Sequence, residues 1–161
     1  AADGGLNERN QWQGTVSAFD ISGAFNLHLQ NSLNLEAGAE RVSLSAARWA
    51  AMGGSLNLER FVWDKKQGIT TKGRADTLHM TELHNFYKPA VEHNMVLASD
   101  WDIAYTQNMS GYLNVQRQSG DIILDYRKQA LGLSALSLQT RFQNGRIDNQ
   151  IKGPVWEHLK T

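Results

Sequence analysis

Residues 78–90 read LHMTELHNFYKPA, and they hold the side chains best suited to metal chemistry, His79, Glu82 and His84. A helical metalloprotease site places its histidines four apart with a glutamate beside the first. Here the two histidines are five apart, which turns the second roughly 140° around a helix. His93 can join them only through a loop, so these residues read as solvated helix and loop histidines, and no metal is expected. Asp100 and Asp102 flank Trp101 in the manner of a glycosidase carboxylate pair. On a strand, however, both point opposite to Trp101 and leave the apolar face for solvent. In YLNVQRQSGDIILDY, residues 112–126, Arg117, Ser119 and Asp121 crowd around Gly120. No base is placed to activate the serine, and the turn chemistry of Ser119-Gly120 predicts a hairpin instead. That hairpin sets Val115 opposite Leu124 and Leu113 opposite Tyr126, with Asn114 beside Asp125 and Arg117 facing Ile122. Gly53-Gly54 is followed by neither a Lys-Ser/Thr pair nor a dinucleotide fingerprint, and no G-x-S-x-G occurs. No catalytic residue, cofactor or metal is expected.

The elements that must carry these residues are strands. Apolar residues alternate with a period of two through Phe25, Leu27, Leu29, Leu33 and Leu35, then Val42, Leu44 and Ala46, then Leu56 and Leu58. The same habit returns at Leu97, Trp101, Ile103 and Tyr105, at Leu113 and Val115, at Ile122 and Leu124, and at Leu136, Leu138 and Phe142. The parity survives Asn31, which allows one long strand or two with a bend. A loose theme recurs in GAFNLHL, NSLNLEA, GGSLNLE, SGYLNVQ and LSALSLQ, where two apolar residues flank a small polar one. Asn144-Gly145 predicts a two-residue turn that sets Phe142 opposite Ile147, Leu138 opposite Ile151 and Arg141 opposite Asp148. The period breaks after Met80, where Met80, Leu83, Phe86 and Tyr87 fall at helical spacing. Thr81 is a candidate cap and Pro89 a stop, so one short helix is expected. The opening AADGGLNERN has no apolar period, so residues 1–11 read as a flexible end and 12–161 as a single unit.

Composition narrows the partners. The chain has 161 residues, 41% of them hydrophobic, and its 16 basic and 16 acidic side chains cancel. Phosphate-binding surfaces carry a basic excess, so nucleic acid is not an expected partner, and no polybasic run addresses an anionic membrane. The absence of cysteine excludes thiol catalysis and disulfides and fits cytosol or periplasm equally. No apolar run reaches the roughly 20 residues that span a bilayer.

Residues 99–148 resemble the carboxy-terminal region of the TamB family, the inner-membrane-anchored subunits of the translocation and assembly module, which are related to AsmA-like proteins. The resemblance rests on a Trp-Asp strand (Trp101-Asp102), then S-G-x-L-x-V-x-R-x-S-G-D-I (110–122), L-G-L-x-x-L-x-L (131–138) and N-G-R (144–146). Upstream, GAFNLHLQ, RVSLSAARW and GGSLNLERFVW are similar too, so it covers most of the chain beyond residue 12. It implies an all-β fold with one short helix, an elongated sheet curved into a U-shaped trough, the β-taco, with an apolar interior. It implies a periplasmic excerpt of a protein anchored in the inner membrane of a Gram-negative bacterium. The implied partners are the outer-membrane barrel TamA and apolar clients, either phospholipid acyl chains or unfolded outer-membrane protein strands, in autotransporter assembly or lipid transport. No catalytic residues carry over. The expected groove is Phe25, Leu27, Leu29, Leu33, Leu35, Val42, Leu44, Leu56, Leu58, Leu97, Trp101, Ile103, Leu113, Val115, Leu124, Leu136 and Leu138. The competing expectation is a structural β-sandwich or solenoid spacer with a closed core.

Overall fold

At Asn144-Gly145 the chain turns as its sequence requires, both residues holding positive φ (50° and 78°). The strands it joins pair Phe142 with Ile147, Leu138 with Ile151 and Arg141 with Asp148. The computed structural model describes residues 1–23, 26–86, 88–124 and 128–153. In chain order the strands are β1 (Ala2–Leu6), β2 (Trp12–Val16), β3 (Asp20–Ile21), β4 (Leu27–Leu29), β5 (Leu33–Ala37), β6 (Arg41–Leu44), β7 (Ala47–Ala51), β8 (Gly54–Asp64) and β9 (Gly68–His79). A 3₁₀ helix, Met80–Asn85, precedes β10 (Glu92–His93), β11 (Val96–Tyr105), β12 (Met109–Ser119), β13 (Ile122–Leu124), β14 (Gln129–Ala130), β15 (Ser137–Gln143) and β16 (Arg146–Lys152).

Thirteen of these strands make one large antiparallel curved sheet that does not close into a barrel. Its path runs β1-β2-β5-β6-β8-β9-β11-β12-β15-β16, with β1 and β16 at opposite ends. Short strands β3, β4 and β7 branch from this path, and the register explains why. β6 and β7 lie end to end along one side of β8, Leu44 opposite Phe61 and Ala47 opposite Leu58. β5 and β4 continue each other in the next row, and β2 and β3 in the row beyond. Each row is therefore a long strand interrupted once. The interruptions at 17–19, 30–32 and 45–46 fall beside one another, and a bulge between Leu58 and Arg60 extends the line into β8. We call this line the crease.

A second set of interruptions crosses the other half. Two residues separate β10 from β11 and two separate β12 from β13, while β14 precedes β15. β10, β13 and β14 pair with one another in a three-stranded sheet, an arrangement that repeats the adjacency of β11, β12 and β15. Bulges at the same level displace the register of β9 against β11 near Thr77 and of β12 against β11 near Gln118. A bulge adds a residue to one strand and bends it, so aligned bulges bend a sheet.

The core sits in the first crease. Leu29 (4% exposed), Leu33 (3%) and Ala47 (4%) are its most buried members, with Val16, Leu35, Leu44, Trp49 and Leu58 packed against them. These residues come from both sides of the interruptions, so the apolar face folds onto itself there.

Several expectations are corrected by the structure. Ser119-Gly120 is a bend in a row and not a hairpin: Val115 faces Ser99 and Leu138, and Leu113 faces Trp101 and Thr140. Gly120 has φ +81°, and a Cβ there would stand 2.1 Å from the Asn94 carbonyl oxygen. The glycine thus serves a close backbone approach between two bending rows. Asp125 and Tyr126, which the hairpin reading also paired, lie outside the described residues, as do Phe25 and Tyr87. The short helix is present but is 3₁₀, begins at Met80, and carries no side-chain cap, so Thr81 does not cap it. Its entry is fixed by backbone bonds from His79 N–H to Met52 O and from Met80 N–H to Met95 O. The amino-terminal residues are also ordered, as edge strand β1. Trp12 explains this: a Cβ on Gly4 or Gly14 would lie 2.7 or 2.5 Å from its indole, so the ring covers two facing glycines. An aromatic ring over paired glycines supplies the packing they lack.

Candidate functional site

Directly opposed residues in an antiparallel sheet share a face, so the register assigns every side chain. One face carries Leu27, Leu29, Leu33, Leu35, Val42, Leu44, Leu56 and Leu58. The same face continues through Leu97, Trp101, Ile103, Leu113, Val115 and Leu138. The structure therefore brings these expected groove residues together. Leu136 is half-buried just before β15, its carbonyl accepting from Arg117 N–H at 2.8 Å. Leu124 departs from the expectation: it is exposed and lies on β13, opposite Gln129 in the three-stranded sheet.

Trp101 lies over Gly73, where a Cβ would meet its indole at 2.6 Å, and its Nε1–H donates to Thr71 Oγ1 at 3.1 Å. The large ring is held flat along the apolar face with its one polar atom satisfied. Arg117 also springs from this face, opposite Leu97. It does not meet Ile122 as expected: its Nε donates to Gly120 O at 2.7 Å and its Nη1 to Ser134 O at 3.2 Å. The guanidinium thereby closes one end of the apolar face against the bend.

Sequence reasoning missed part of the face. Trp12, Ala37, Trp63, Ile69 and Met109 stand in one register row across the sheet with Val42 and Tyr105, which the alternation already places on an apolar side. Phe61, opposite Leu44, belongs to the same face. In β8 the apolar parity changes from even (Leu56, Leu58) to odd (Phe61, Trp63) across the Glu59 bulge. In the row of β6 and β7 it changes from Val42 and Leu44 to Ala47 and Trp49, leaving Ala46 exposed. Those parity reversals were the available signal.

Exposure rises from crease to margin. Against the 3–4% of Leu29, Leu33 and Ala47, Leu6 is 72% exposed, Tyr105 50% and Ile147 62%, all on the apolar face. The chain as a whole exposes 10914 Å². A compact folded chain of this length exposes roughly 8,000 Å².

The opposite face is polar and carries its own order. Arg48, Asn57, Arg74, Asp100, Asn114, Gln139 and Gln150 form one row across seven strands. Asp100 accepts from Asn114 Nδ2 at 3.0 Å, and Asp102 pairs with Arg60 at 3.6 Å. Both carboxylates thus lie away from Trp101, as expected, and within ordinary surface pairs. Asp20 binds His28 Nδ1 on this face, but Ala50 separates His28 from Ser55 along the row, so no triad is assembled. An open hollow on this side, of about 640 Å³, is lined by Arg48, Asn57, Arg74, Asp100 and neighbours. The histidines of the helix region separate: His79 and Glu82 lie by Gly53, whereas His84 meets His93. Among the described residues no three His, Cys, Asp or Glu side chains converge as metal ligands.

No family model, curated protein or solved structure matches this chain.

Proposed function

We propose that this chain is a non-enzymatic shielding module of the TamB kind, acting in the periplasm between the inner and outer membranes. Its apolar face shelters the acyl chains of phospholipid or the apolar side of an unfolded outer-membrane strand, in concert with the outer-membrane barrel TamA. The observation that carries this reading is the exposure gradient, from a packed crease to margins where Leu6, Tyr105 and Ile147 stand in solvent. Removing apolar area from water yields about 25 cal/mol per Å² and needs neither charge nor metal, so such a face attracts an apolar guest without any catalytic group. The amide-rich opposite face keeps the open sheet hydrated.

A second reading is supported by a different observation. The crease is filled by the molecule's own side chains, and the hollow described above lies on the polar side. On that reading the sheet is a spacer between neighbouring segments. An environment-sensitive apolar dye separates the two: the shielding module brightens it, and acyl-chain lipid competes it away. Mass spectrometry of molecules copurifying with the native protein identifies the guest. A dark dye together with no copurifying lipid or polypeptide leaves only the spacer.

A further inference from the structure

Arg48 on β7, Asn57 on β8 and Arg74 on β9 are direct neighbours in the polar row, with Asp100 of β11 next in line. Arg48 and Arg74 therefore flank one amide, two strand spacings or about 10 Å apart at the backbone. The Arg48 Nε donates to Asn57 Oδ1 at 3.0 Å, which fixes the orientation of that amide and leaves its Nδ2 group as a donor. Among the described residues, Asn57 Nδ2, the terminal nitrogens of Arg48 and the whole Arg74 guanidinium have no hydrogen-bond or ion-pair partner.

The acids bordering the row are engaged elsewhere. Asp100 stands opposite Arg74 but accepts from Asn114 Nδ2 at 3.0 Å, Asp76 accepts from Gln118, and Glu59 pairs with Lys72 at 3.0 Å. On the same face Arg60 does find a carboxylate, Asp102 at 3.6 Å. Two hollows, of about 640 and 550 Å³, share this stretch of the row, and Gln30, Arg48, Asn57 and Arg74 border both.

We propose that Arg48, Asn57 and Arg74 form a binding site for a terminal phosphoryl group, either free phosphate or a phosphate monoester. Such a group presents three oxygens and so accepts from both guanidinium groups and the amide at once, whereas a carboxylate has only two. Its negative charge also relieves the repulsion between the two arginines. The backbone beneath the site is fixed. Asn31 Oδ1 accepts from Arg48 N–H, Gln30 N–H donates to Arg48 O at 2.8 Å, and Arg74 lies between buried Gly73 and Ala75. The balanced charge of the chain disfavours a polyanion, but a single phosphoryl group answers to local donors alone.

The test is an NMR titration of the intact chain with inorganic phosphate and, separately, with glycerol 3-phosphate, sodium chloride holding the ionic strength constant. The side-chain signals of Arg48 Nε, Asn57 Nδ2 and Arg74 Nε shift together and saturate at millimolar ligand. Arg74→Gln weakens binding about tenfold. Arg60→Gln, which removes a paired guanidinium from the same face, leaves it within about twofold. Acetate binds about tenfold more weakly than phosphate. Tighter binding of glycerol 3-phosphate upholds the site as one for a monoester, and equal or weaker binding upholds it as one for phosphate itself. Shifts that do not saturate, binding that survives Arg74→Gln, an equal loss in Arg60→Gln, or acetate as tight as phosphate overturns the proposal. The site lies on the face opposite the apolar shelter, so none of these readouts depends on whether that shelter binds a guest.

Discussion

Gln118 on β12 accepts the backbone N–H of Thr77 at 2.9 Å, reaching past the intervening strand β11, and its amide nitrogen donates to the Asp76 carboxylate. The amide thus joins two bulges lying on either side of β11. Gln118→Ala leaves the Thr77 N–H without this partner and is expected to destabilise the chain by about 1–2 kcal/mol in urea unfolding. Gln118→Glu keeps the acceptor but sets a carboxylate against Asp76, so its deficit shrinks as pH falls through the carboxylate range. A deficit independent of pH counts against the contact.

Thr77 itself holds φ +55°, an unfavourable conformation for a β-branched residue. Replacing it with Asn, which tolerates that region, is expected to stabilise the fold by about 1 kcal/mol. The backbone donor to Gln118 is retained, so a thermal melt reports the relief of strain.

At the first crease Asn31 Oδ1 accepts from Arg48 N–H, and Ser45 Oγ accepts from Asn34 N–H at 2.8 Å. Side chains here replace ladder bonds that the interruption removes. Asn31→Ala is expected to cost about 1–2 kcal/mol, whereas Asn57→Ala, on the open polar face, stays within about 0.5 kcal/mol. Equal losses in denaturant titrations would remove the special role of the crease.

Floor and margin of the apolar face are expected to respond differently to charge. Leu33→Asp buries an unpaired carboxylate and abolishes folding, costing several kcal/mol. Tyr105→Asp and Ile69→Asp, near the margin, leave the circular dichroism spectrum unchanged while lowering dye and lipid uptake. Leu113→Asp and Leu136→Asp, at half-buried positions, weaken client binding and stability together. If margin variants bind dye as wild type does, the guest does not lie on this face.

The pH dependence of stability has a defined sign. His93 resists protonation in the folded state, so its contribution is complete above about pH 6.5 and is lost as pH falls below that value. Asp64 accepts from the N–H groups of Gln67 and Lys66, bonds that hold its carboxyl below the ordinary range, with Arg41 adding to the effect. Its contribution is present above about pH 4 and disappears under stronger acid. Urea midpoints taken from pH 8 to pH 3 should fall in two steps, and His93→Gln should remove only the upper one.

Local order was legible in the sequence wherever a short rule decides it. The alternation of Leu27, Leu29, Leu33 and Leu35 determined strands with one apolar side, and Asn144-Gly145 determined the register of β15 and β16, because both signals arise from neighbouring residues. The placement of Asp100 and Asp102 away from Trp101 followed from the same period of two. Tertiary structure decided where the rows bend. Gly120 can occupy a hairpin turn or a bend equally well, and only the approach of the Asn94 carbonyl from the neighbouring row selects the bend. For the same reason Leu124 left the expected face, and Phe61, Trp63 and Trp49 joined it once the Glu59 bulge and the 45–46 interruption reversed their parity. A strand's period is a property of its own backbone, whereas a bend and the side that folds inward depend on every row crossing the same line.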